Sequence, residues 1–171
     1  MSDDTVEDAV LQVLSQVDEG ATQAALEQLV QLSSRFPGHA EVADAWAVFG
    51  DSGAARGPFG LTLLTALIPI ARGWPDARGR STMMMALAEL EVTHREVTWA
   101  AHWLKGALAA DPADTRPWDL LELMLDVHPN LPVGRDTKKL LRQIRQAKGE
   151  LPIKEDDFSG LTMDSWSADD T

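Results

Sequence analysis

The spacing in this sequence most suggestive of chemistry is Glu91-Val-Thr-His94. On a continuous helix an E-x-x-H pair projects a carboxylate and an imidazole from one face, as dinuclear carboxylate sites require. Such a site also needs a second E-x-x-H and further glutamates from facing helices, and the chain contains no second copy. A small helical metal-dependent enzyme using Glu91 and His94 is therefore the alternative reading, not the principal one. His102 follows His94 by eight residues, and His39 and His128 sit near prolines in turn-like segments. All four histidines read as solvated or capping residues. The chain has no cysteine, which excludes thiolate nucleophiles, disulfides and zinc–thiolate sites. The glycines of 50–60 lack the Gly-Lys-Ser/Thr ending and the preceding strand of a phosphate loop. The sequence calls for no cofactor, and the expectation is a protein that is not an enzyme.

The residues suited to binding are more numerous. Trp99 and Trp103 lie one helical turn apart, with Trp118 beyond them; they read either as core or as the lining of an aromatic groove, since tryptophan is enriched at binding hot spots. Met83-Met-Met85 points in three directions on a helix, so at least one methionine is expected outside the core. Arg135, Lys138, Arg142 and Arg145 form a basic stripe that could be a solvated helix face or a dock for an acidic segment. The last residues mix seven acids with Phe158, Leu161, Met163 and Trp166. A purely solubilising tail has no use for such bulky residues, and acidic segments of this kind fold on partners.

Charge narrows the partner. The net charge is −12, and residues 21–149 balance at fourteen acids and fourteen bases, so the two ends carry all of it. Nucleic-acid binding needs a dominant basic face and is not expected. The apolar run from Phe59 to Ala71 is too short to span a bilayer, so no membrane insertion is expected. The first residues carry acids where a secretory signal carries a basic patch, which gives a cytoplasmic expectation.

These side chains must be positioned by helices, because apolar residues recur at helical spacing and no segment alternates like a strand. The spacing predicts eight helices, at about 4–19, 22–35, 40–49, 59–72, 81–92, 95–110, 116–127 and 135–148. The fourth is apolar nearly all round and is expected to be the central buried helix, with Pro69 as a point of kinking or termination. Thr93-His-Arg-Glu96 has the form of a capping box and predicts the break between the fifth and sixth helices. Residues 50–57 and 73–79 read as glycine-rich loops. The expected class is all-α, built of antiparallel helical hairpins, with a helical domain over 1–149 and an acidic tail over 150–171.

Around Pro112 the residues acquire a register. Ala100 and Leu104 match an A-x3-F element with leucine for phenylalanine, Ala107 is the small residue five before the proline, and Trp118-Asp-Leu-Leu121 matches W-x2-L. In this the chain resembles a tetratricopeptide repeat, a two-helix unit of about 34 residues. Glu122 stands where the repeat has glycine and Leu125 where it has tyrosine. The resemblance covers about 80–128, and more loosely 4–80 around Pro37. It implies a short stack of hairpins and a protein–protein interaction module, an adaptor, chaperone or complex subunit, that takes a peptide or helix of a partner. A purely structural subunit of a larger assembly is the third reading, and self-association the remaining partner expectation.

Overall fold

The computed structural model describes residues 3–146, with side chains up to Gln143. Eight α-helices follow one another: α1 Asp3–Asp18, α2 Thr22–Arg35, α3 Ala40–Gly50, α4 Phe59–Gly73, α5 Ala77–Thr93, α6 Val97–Ala110, α7 Arg116–Val127 and α8 Arg135–Gln146. No strand occurs among the described residues. The fold is all-α, as the apolar spacing requires. No described helix is long and apolar enough to cross a membrane.

The chain reverses between helices through a few local devices. After α1, Gly20 adopts a left-handed conformation (φ 83°), and the Gly20 and Ala21 amides donate back to Val17 and Gln16. This satisfies the last carbonyls of the helix and reverses the chain. The same pair of bonds closes α5, where Arg95 and Glu96 donate to Val92 and Glu91, but the left-handed residue is Arg95 (φ 65°). The capping box expected at Thr93 does not form. Thr93 is the last residue of α5 and its hydroxyl donates to the Glu89 carbonyl, and α6 starts without a side-chain cap. The break is made by a C-terminal motif with arginine in the glycine position.

Two other expectations change. Residues 73–79 are not all loop: Asp76 accepts from the Gly79 amide at 2.7 Å and starts α5 a turn early. Gly79 sits inside the helix because a Cβ there would lie 2.4 Å from the Trp74 indole nitrogen. Residues 50–57 contain a short 3-10 turn, Gly53–Arg56. Pro69 lies on the exposed side of α4, which runs through it to Gly73.

The odd-numbered helices pack in succession, α1 on α3, α3 on α5 and α5 on α7, while α2 covers α1 and α6 covers α5. α4 packs on α5 more than on its sequence neighbour α3. The buried centre is therefore α5 with α6, not α4. α4 buries only Gly60, Leu63, Leu67 and Ala71, and Leu61 is exposed. α5 is enclosed by α3, α4, α6 and α7, and it buries even Ser81, Thr82 and Glu91. A helix's apolar content says what it tolerates against neighbours, whereas its place in the packing order decides how many neighbours it has.

Candidate functional site

Polar residues buried in α5 need partners, and these come from the turn before α7. Asp114 is 3% exposed. It accepts from the Ser81 hydroxyl at 3.0 Å, from the Arg116 backbone amide at 3.0 Å and from the Arg116 guanidinium at 2.7 Å. The guanidinium also donates to Thr82 at 2.8 Å. Burial pushes the Asp114 carboxyl up, but the hydrogen bonds from Arg116 and Ser81 outweigh it and hold it below the ordinary carboxylate range. The hydrogen bond to Asp114 in turn raises the Arg116 guanidinium. This network ties the start of α7 to the start of α5 and so sets the spacing of those two helices.

Between α3, α5 and α7 that spacing leaves a groove. One part, with a cavity volume of about 390 Å³, is lined among others by Ala47, Met85, Glu89, Arg116 and Asp119. The other, about 240 Å³, is lined among others by Asp51, Arg56, Met124, Val127 and His128. Glu89, Leu120 and Leu123 line both, so the two are continuous. Leu123 and Val127 are 60% and 65% exposed, an unusual cost for apolar side chains next to each other on one helix. Trp118 and Leu121, on the far side of the helix, are buried, and Met124 is buried where it borders the groove. Glu89 sits half-buried at the junction. Burial raises its carboxyl, and the negative charge of Asp51 raises it further.

The residues singled out in the sequence are placed differently. Trp103 and Trp118 are buried, 1% and 2% exposed, and belong to the core and not to a groove. The Arg72 guanidinium lies over the Trp103 ring, 5.2 Å from its centroid. Trp99 is half exposed on α6, its ring edge-on to His102. Met83 and Met84 are buried, while Met85 leaves the core and lines the groove. On α8, Arg135, Lys139 and Arg142 are exposed and Lys138 half-buried, while Thr137 and Leu141 face inward. Arg145 falls on α8 beyond the described side chains, and Phe158, Leu161, Met163 and Trp166 lie outside the described residues.

Glu91 and His94 also come to lie at the α5–α6 reversal. Glu91 is buried, which raises its carboxyl, while the Trp103 indole and His94 oppose the rise. The indole points toward the carboxylate short of a full hydrogen bond. The His94 Nε2 is enclosed without a hydrogen-bond partner, packed so close to Gly60 that a Cβ there would lie 2.3 Å from it. His102 is half-buried, and burial, then Arg72 and Lys105, lower its pKa. Of the two readings of the histidines, solvated or capping, His94 takes the capping one as the C-cap residue of α5, and both histidines are half-buried. No group of three or more His, Asp or Glu able to hold a metal occurs among the described residues.

No family model, curated protein or solved structure matches the chain. The reading of the groove therefore rests on its own geometry.

One apolar stripe suffices to anchor a helix, and the groove residues of α7 lie outside it. α7 carries two: Trp118, Leu121 and Met124, and a second of Leu120, Leu123 and Val127. A helix apolar on both faces must either be enclosed or offer the second face, and that signal was in the sequence.

Proposed function

We propose that this protein is a protein–protein interaction module of the adaptor, chaperone or complex-subunit kind, and that it binds a short segment of a partner along the groove between α3, α5 and α7. The observation that carries this reading is the second apolar stripe of α7, left uncovered beside Met85 and Glu89. Covering Leu123 and Val127 removes apolar surface from water at about 25 cal/mol per Å², without unfolding anything. The succession of odd-numbered helices and the burial of Ala100, Leu104, Ala107 and Trp118 support a tetratricopeptide-like register, whose inner helices bind peptides. The cysteine-free composition fits a cytoplasmic setting.

A photo-crosslinking residue at position 127, in the native host, tests the proposal. A discrete adduct with one protein is expected, lost when Leu123→Asp is added, and absent from the same probe at position 61 on α4. Equal labelling from positions 127 and 61 would sink it. The outward basic residues of α8 favour a second contact, between Arg135, Lys139 and Arg142 and an acidic segment of the chain's own tail or of a partner. Deleting 150–171 should then raise the salt-dependent binding of an added acidic peptide. Unchanged binding would remove this second contact.

A further inference from the structure

The charges of the groove say what kind of segment it takes. Its ionisable lining comprises Asp51, Glu89 and Asp119 against Arg56 and Arg116, with His128 at one end. Arg116 spends its charge on Asp114 at 2.7 Å. Three carboxylates then face one cation, Arg56, and none of the three has an ion-pair partner among the described residues. Glu89 holds the decisive position. It is the carboxylate common to both parts of the groove, half-buried, with Met85 on its own helix and Leu120 and Leu123 opposite. A carboxylate among apolar side chains loses solvation, and the nearby Asp51 adds repulsion. Among the described residues no cation is paired with Glu89 to offset either cost. A cation on a long apolar stem would do both, its methylenes lying on Leu120 and Leu123 and its head reaching the carboxylate.

We infer that the groove selects an amphipathic protein segment that places a lysine or arginine against Glu89, between apolar residues that cover Leu123 and Val127. This rests on the groove reading proposed above and adds the sign of the charge. It also disfavours the chain's own last residues as the occupant, since residues 150–171 carry seven acids and one lysine.

The methionines supply a built-in reporter. Met85 lines the groove and is half-buried, whereas Met83, Met84 and Met124 are buried in the core. The full chain, labelled with 13C at the methionine methyls, is titrated at physiological salt with three twelve-residue peptides. These share the same leucine positions and carry lysine, glutamine or glutamate between them. The lysine peptide is expected to shift Met85 and leave the core Met83 in place, binding about tenfold tighter than the glutamine peptide. Glu89→Gln should weaken the lysine peptide about fivefold and so narrow its margin over the glutamine peptide to about twofold. Equal affinity for lysine and glutamine peptides, with Met85 shifted by both, overturns the charge selection and keeps the groove. Tighter lysine binding without that shift is attraction to the acidic ends and overturns the inference. No methyl shift with any peptide overturns the groove reading together with it. Concentration-dependent Met85 shifts without peptide would make a second copy the occupant and refute a basic one.

Discussion

Asp114→Ala should cost about 3 kcal/mol at neutral pH, and the structure divides that loss into three parts. The first is the buried bond from Ser81. With Asp114 gone, a hydroxyl in a fully buried residue loses its acceptor, at about 1 kcal/mol or slightly more. The second is the bond from the Arg116 amide, by which Asp114 serves the first turn of α7 as a cap would, about 1 kcal/mol. The third is the ion pair itself. The Arg116 side chain is 37% exposed, so water screens the pair and its share is about 0.5–1 kcal/mol. For a chain of this size such a loss lowers the melting temperature by about 6–12 °C. Thermal and urea unfolding followed by circular dichroism measure it. The pH dependence adds a second arm. The folded carboxyl lies below its ordinary range, so its stabilisation is fully present above about pH 4 and lost as pH falls through the folded value. Parent and variant should therefore converge in acid. A loss under about 1 kcal/mol, or a difference that persists undiminished in acid, would refute the reasoning. Because the network fixes α7 against α5, Asp114→Ala should also weaken anything bound in the groove.

Three further outcomes follow from single residues. Arg95→Gly should stabilise the protein by about 0.5–1 kcal/mol, since glycine takes the left-handed conformation that Arg95 holds at a cost; an unchanged urea midpoint would contradict this. Gly60→Ala should destabilise by about 2–3 kcal/mol, because its Cβ would lie 2.0 Å from the Ala55 carbonyl oxygen, and a neutral effect in thermal unfolding would show that α4 shifts freely. Glu89→Gln should make the free protein more stable as pH rises above about 4.5, because the raised folded pKa means the carboxyl disfavours the folded state once it ionises; parallel stability–pH curves for parent and variant would refute it.

The sequence by itself determined the helices and most of their limits. Apolar spacing defines α2, α3 and α7 to within a residue, because periodicity is a local property and needs no partner to be read. It also placed the reversal at residues 93–96, though the Thr93 hydroxyl turned inward to its own helix and left the turn to Arg95. The tertiary packing decided which helix lies at the centre and where the open groove lies. α5 carries Ser81 and Thr82, which look like solvated residues until Asp114 and Arg116 arrive from more than thirty residues away to accept from the one and donate to the other. α4, far more apolar, lies outside with Leu61 in water. Of the tryptophans that read either as core or as a groove, Trp103 and Trp118 are core and Trp99 is half exposed, while Leu123 and Val127 of α7 are more exposed still. Composition along one helix records which faces can be buried. Which face is left open is set by the number of neighbours around it, and only the packed chain fixes that.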